Sequence, residues 1–325
     1  MSGAWFGEGR AVRLCEVGPR DGLQAESAFV PTADKIALVN ALARAGVSKI
    51  EVTAFVSPAA IPALRDADAV MQGIERRAEV VYSALVPNVR GAARAIDARA
   101  DELNLVMSAS ESHNLSNLRM TRAQSFASLR QVAAMAHGAG VAVNVSLSCA
   151  FGCPMEGNVA IEDVLAWCER YARELGASGV TLCDTTGMAY PAQVSAATRA
   201  FLERLPGTAL TLHFHDTRGM GLANVLAAID AGARNFDTSI GGLGGCPYAP
   251  GASGNVCTEE IAHALDLCGY ACGLDLPGLV AQARSLEPLI GHAVTSQIVK
   301  AGLCRDLHPR PHDFEAIRRR ALARA

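Results

Sequence analysis

Eight short runs rich in β-branched residues recur along the chain, and a longer stretch separates each from the next. The runs are VRLCEV, SKIEVT, EVVYSAL, ELNLVM, VAVNVSLS, GVTLCD, ALTLHFH and NFDTSI. Their composition and bounds suit strands, whereas the Ala- and Leu-rich stretches over 33–45, 60–74, 122–138, 161–175, 192–205 and 220–231 suit helices. In ADKIALVNALARAG, for example, the apolar Ile36, Val39 and Leu42 recur at helical spacing and Gly46 supplies a stop. Such repeated alternation predicts an α/β chain closed into a (β/α)8 TIM barrel. One domain is expected, with the barrel over about residues 11–268 and extra C-terminal helices over about 270–325. An open doubly wound sheet is the other arrangement the pattern permits. Against it, the loop after the first strand, GPRDGLQ, lacks the glycine spacing of a dinucleotide fingerprint.

Half of the 325 residues are apolar, enough for a substantial core. With 29 basic against 32 acidic side chains and a net charge of -3, there is no electrostatic case for a nucleic-acid partner. The C-terminal RRRALARA is the one basic run, and a solvated tail accounts for it. No apolar stretch approaches the roughly 20 residues of a membrane span. The first residues, MSGAWFGEGRAV, carry Glu8 and no apolar segment before a cleavage site, so a cytoplasmic protein is expected. The ten cysteines lie scattered in apolar segments and are expected to be reduced thiols. Cys149/Cys153 and Cys268/Cys272 are each four apart, but no second pair stands at zinc-finger spacing.

Active sites of barrels of this kind sit at the carboxyl ends of the strands. Polar groups collect there in this chain. Arg20 and Asp21 follow the first strand, Glu51 lies late in the second and Asp184 ends the sixth. The seventh ends in LHFHDTRGMGLAN, where His213 and His215 project to one side and Phe214 to the other. After the eighth comes GGLGGCPYAPGASGN, residues 241–255. An H-x-H pair alone is ordinary strand-end chemistry. With Asp21 and the amide oxygen of Asn255 it would offer a divalent cation four ligands carrying one negative charge, leaving positions open for a substrate. Oxygen-rich coordination suits Mg²⁺ or Mn²⁺, and Mn²⁺ tolerates imidazole well. A closed zinc site would favour thiolates instead.

VGPRDGLQ, KIEVTAFVSP, SCAFGCPMEG, HFHDTRGMGLAN and GGLGGCPYAPGASGN together resemble the 3-hydroxy-3-methylglutaryl-CoA lyases, from about residue 12 to 300. The 241–255 loop is the most specific part of the likeness. The resemblance implies a metal-dependent carbon–carbon lyase that converts an acyl-CoA thioester into acetyl-CoA and acetoacetate, the chemistry of leucine degradation and ketone bodies, in a homo-oligomer. It places metal ligation on Asp21, His213, His215 and Asn255, and catalysis on Arg20, Glu51, Asp184 and Cys246. Arg20 and Gln24 are the implied substrate contacts.

Guanidinium stays protonated, so Arg20 is expected to stabilise developing negative charge rather than act as a base. Cys246, on a Gly-rich loop that would close as a lid, is expected to protonate the departing carbanion. Glu51 and Asp184 are expected to hold Arg20 or a metal-bound water, or one of them to relay the hydroxyl proton. The general base stays unassigned, because a metal-bound His213 has no free lone pair. Asn88, Asn114 and Asn117 are further polar candidates on the same rim. Phe214, Arg218 and the polar SESHNLSN around His113 depart from the family pattern. Arg218 and His113 are expected near the acyl or CoA portion, which leaves a related 3-hydroxyacyl-CoA or citramalyl-CoA open as substrate. A synthase running the condensation is the rival enzyme, although such relatives carry Glu where Leu23 stands. A noncatalytic metal-binding barrel is the rival of another class.

Overall fold

The structure, a computed structural model, describes residues 7–245 and 254–324. Eight parallel strands close on themselves: β1 (Arg13–Glu16), β2 (Lys49–Ala54), β3 (Val81–Leu85), β4 (Glu102–Ser108), β5 (Ala142–Ser148), β6 (Gly179–Asp184), β7 (Ala209–Phe214) and β8 (Asn235–Thr238). The seam is sealed by β8 on β1, with Cys15 opposite Asp237 and Glu16 opposite Thr238. The expected TIM barrel is therefore the fold.

Along each strand, alternate residues divide the barrel into two environments. Leu14, Ile50, Leu103, Leu105, Val143, Val145, Val180, Leu182, Leu212 and Phe236 are fully or nearly fully buried in the main apolar core. The opposite phase is polar, and it is bonded across the strands. Asn104 Nδ2 donates to Glu51 Oε1 at 2.7 Å, and Asn144 Nδ2 donates to Asn104 Oδ1 at 2.9 Å and to Thr181 Oγ1 at 3.0 Å. Beneath them Lys49 Nζ pairs with Glu102 Oε1 at 2.5 Å. Burying so many polar groups is tolerable because they satisfy one another.

The helices follow the strands broadly as expected, with two differences. The stretch over 60–74 is not one helix: a short 3-10 turn, Pro62–Leu64, precedes an α-helix at Ala67–Gly73. Between them Asp66 turns aside to accept hydrogen bonds from Thr32 Oγ1 at 2.8 Å and Lys35 Nζ at 2.6 Å. Helices Val89–Asp97, Glu111–Leu118 and Thr258–Leu267 are additional, the first two opened by side-chain caps in which Asn88 accepts from Gly91 N and Ser110 from His113 N. After the barrel come Leu276–Ile290, Gln297–Ala301 and Phe314–Leu322. No helix among the described residues is long and apolar enough to cross a membrane.

Candidate active site

The chain leaves β1 through a single π-helical turn, Gly18–Gly22. Such turns are uncommon and occur often at functional sites. The turn brings Arg20 and Asp21 over the barrel mouth. Arg20 Nε donates to Glu51 Oε2, and Arg20 Nη1 contacts Asp21 Oδ1 at 2.5 Å. Its guanidinium is thus held between two carboxylates, which raise its pKa despite the cost of burial. Burial pushes Glu51 up, and Arg20 only partly offsets it.

His213 and His215 lie on one side of β7 and its extension, ring centroids 5.2 Å apart. Phe214 turns the other way, fully buried against Phe151 with ring centroids 5.8 Å apart. Asn255 reaches the pair because the chain returns after β8: His215 and Asn255 form an antiparallel bridge, and Val256 N donates to Phe214 O at 3.0 Å. Asn255 Nδ2 then donates to Asp21 Oδ2 at 2.8 Å and to Leu243 O at 3.0 Å.

Ligating atoms of Asp21, His213 and His215 lie within 4.8 Å of one another. A cation fits this group on two grounds. The Nδ1 of His215 and the Oδ1 of Asn255 are buried without a hydrogen-bond partner among the described residues, which is costly unless something occupies them. The charge states of Asp21 and His215 also suit ligation, since ligands must be deprotonated. Burial would raise Asp21, but Arg20, His213 and His215 hold its pKa at about 2. Burial and the neighbouring His213 lower His215 to about 4, so its imidazole is neutral at ordinary pH. Burial also disfavours charge on His213, yet the contact with Asp237 outweighs it and raises that pKa.

A cavity of about 690 Å³ opens above these groups. Its lining includes the polar Arg20, Asp21, Gln24, His213 and His215, the apolar Val56, Ile61, Leu85, Val106, Leu118 and Leu129, and Gly245. Its size suits a small-molecule ligand. His113 and Asn117 also line it.

Other expected site residues make contacts of their own. Asp184 lies in register with Phe214, on the phase that faces away from the barrel interior. Its Oδ1 accepts from Met188 N at 2.7 Å and Ala189 N at 3.1 Å, and burial raises its pKa to about 6. Arg218 donates to the carbonyls of Thr186 and Gly187 at 3.0 and 2.7 Å instead of reaching toward an acyl group. Asn114 is fully buried and ties Ser108 N to Met120 O and Ser125 Oγ, which is a packing role. Asn88 caps its helix while its residue borders the cavity. Cys246, and with it most of the expected lid, lies outside the described residues. Sequence reasoning passed over Asp237 and Asn104, although both sit on the same alternate phase as His213 and Glu51.

The model of the HMGL-like family matches residues 11–286. The chain belongs to that family. Within it, the chain is 45% identical to the hydroxymethylglutaryl-CoA lyase YngG of Bacillus subtilis, over 89% of this chain and 96% of that protein. It is 37% identical to the (R)-citramalyl-CoA lyase of Chloroflexus aurantiacus, over 90% and 95%. Among solved structures of family members, an HMG-CoA lyase from Acinetobacter baumannii in complex with coenzyme A and 3-methylmalate superposes with a TM-score of 0.89 at 47% identity, covering 96% of this chain and 100% of that one.

Proposed function

We propose that this chain is a hydroxymethylglutaryl-CoA lyase, a carbon–carbon lyase that cleaves 3-hydroxy-3-methylglutaryl-CoA to acetyl-CoA and acetoacetate. The observation that carries the reading is the convergence of Asp21, His213, His215 and Asn255 beside Arg20 at the mouth of a cavity large enough for an acyl thioester. The likeness to hydroxymethylglutaryl-CoA lyases over most of the chain supports it.

In this reaction the tertiary hydroxyl gives up its proton and its C–O bond becomes the ketone of acetoacetate. The bond from the carbinol carbon to the carbon beside the thioester breaks, and its electron pair passes into the enolate of acetyl-CoA. That enolate carbon then takes a proton. Mg²⁺ or Mn²⁺ held by the four ligands would lower the pKa of the substrate hydroxyl. Arg20 supplies a fixed planar donor for the developing negative charge, and Glu51 with Asp21 keeps it in place. Gln24 lines the cavity beside Arg20 as a substrate contact. Cys246 follows directly on cavity-lining Gly245, and we assign it delivery of the final proton. The nine described cysteines are all free thiols, in keeping with residence in the reducing cytoplasm.

The test is turnover of a panel of 3-hydroxyacyl-CoA thioesters, with products identified by mass. Acetyl-CoA and acetoacetate should form from 3-hydroxy-3-methylglutaryl-CoA, stop on exhaustive chelation and return with Mg²⁺ or Mn²⁺. Preferential cleavage of citramalyl-CoA would move the chain to the activity of its Chloroflexus relative. Full turnover by metal-free protein would remove the cation from the reading.

A further inference from the structure

The two imidazoles of the site are not equivalent. The Nδ1 of His213 lies 3.3 Å from Asp237 Oδ2. The Nδ1 of His215 has no hydrogen-bond partner among the described residues. Asp237 is placed by the barrel itself: on β8 it stands in register with His213 on one side and with Cys15 on the other. Its side chain, only 13% exposed, therefore points into the interior just behind the imidazole. Among the described residues His213 is the one hydrogen-bonding partner of that carboxylate. The nearby Lys49 is ion-paired with Glu102 instead, although the charge of Asp237 also favours the charged forms of Lys49 and Arg20.

We propose that Asp237 is the positioning residue for His213, accepting its Nδ1–H and so keeping the Nε2 lone pair aimed at the cation. This rests on the metal-site reading above. An imidazole without a partner can carry its proton on either nitrogen and can rotate about its side chain. A carboxylate fixed on the neighbouring strand removes both freedoms at once, and its charge makes the ring a more basic ligand. Loss of such a partner typically weakens metal binding 10- to 100-fold.

The experiment uses the metal-stripped full chain as wild type, Asp237→Asn and Asp237→Ala, without substrate. Mn²⁺ affinity is read from the free-ion EPR signal, and the melting temperature of each metal-free protein is recorded alongside. Long-range ¹⁵N–¹H spectra of histidine-labelled wild type at mildly alkaline pH report the tautomer, with His213 assigned by the peak lost in His213→Gln. The expected result is an Nδ1–H tautomer at His213 in wild type. Mn²⁺ affinity should fall about 10- to 100-fold in Asp237→Ala. It should fall less in Asp237→Asn, whose amide oxygen still accepts the proton without the charge. The metal-free Asp237→Asn protein should melt as wild type does. An Nε2–H tautomer in wild type overturns the proposal, and so does unchanged Mn²⁺ affinity in both variants. A wild type that binds no Mn²⁺ at all overturns the metal-site reading first, and the proposal with it.

Discussion

At Arg20 one side chain meets two demands. It is clamped by Glu51 and Asp21, and it faces the cavity where charge would develop. Lysine could keep the charge but not the two-sided fork. Arg20→Gln should therefore lower turnover by roughly 10²–10³, the usual loss for one preorganised donor. Arg20→Lys should recover only part of it, and KM should move little in either. Steady-state kinetics decide the point: normal turnover with weakened binding would make Arg20 a substrate anchor only. Asp184 does not line the cavity, and burial raises its pKa from 3.8 to about 6. A carboxyl with a raised folded pKa keeps its proton when the unfolded chain has already released it. Its stabilising contribution is thus full below pH 3.8 and is lost as pH rises through about 6. The loss amounts to about 3 kcal/mol for a shift of this size. Asp184→Asn, which imitates the protonated form, should remove that slope. Urea unfolding across this pH window checks it, and an equal slope in both proteins would refute it.

The elements that build the site lean on a carboxyl group that does not line the cavity, Glu16, whose pKa burial raises to about 8. Glu16 is fully buried at the end of β1, where its Oε1 accepts from Gly18 N at 2.7 Å and Ile240 N at 2.9 Å. Its Oε2 accepts from Thr258 Oγ1 at 2.7 Å. One side chain thereby ties the π-turn carrying Arg20 and Asp21 to the turn after β8 and to the helix Thr258–Leu267 that follows Asn255. Thr258→Val keeps the shape but withdraws the hydroxyl from a buried acceptor, at a cost of about 1–3 kcal/mol. Activity should fall with it, because Asn255 and Asp21 lose their common anchor. Unchanged stability in denaturant would show that the tie carries no weight. The returning segment is also too close for side chains: a Cβ at Gly244, held at φ +114°, would meet Asn255 Nδ2 at 2.5 Å. None of this was legible in the sequence, since Glu16, Ile240 and Thr258 are distant in the chain and only closure of the barrel joins them. The strands were legible because β-branched residues gather in short, bounded runs. Alternation in KIEVT, ELNLVM and NFDTSI puts Glu51, Asn104 and Asp237 on one phase, a signal from which the last two could have been found. An expectation that barrel strands are apolar on both faces obscures it. Asp184 also ends a strand, but in register with Phe214 rather than with His213, which its place at the strand end did not show.

Across the whole molecule, the candidate ligands sit on both sides of the seam where the barrel closes. Asp21 follows β1, His213 lies on β7 beside β8, and Asn255 returns from beyond β8 to bridge His215. The pairing of β1 with β8 joins residues more than 200 positions apart, such as Arg13 and Asn235, so closing it restricts a very long loop. A cation bound to Asp21, His213, His215 and Asn255 would staple the same seam in the folded state and find no preformed site in the unfolded chain. Binding restricted to the folded state stabilises by about 2.7 kcal/mol when the free ion stands at a hundred times its Kd. For a chain of this size that is a rise in Tm on the order of 5 °C. Metal-stripped protein should therefore melt below protein given Mn²⁺ or Mg²⁺. His215→Ala should erase the difference, whereas Phe214→Leu, on the outward side of β7, should keep it while lowering both transitions through the lost packing on Phe151. The readout needs no substrate, so it separates a bound cation from a catalytic one. An identical Tm with and without metal in wild type would mean that the four side chains converge without holding a cation at the seam.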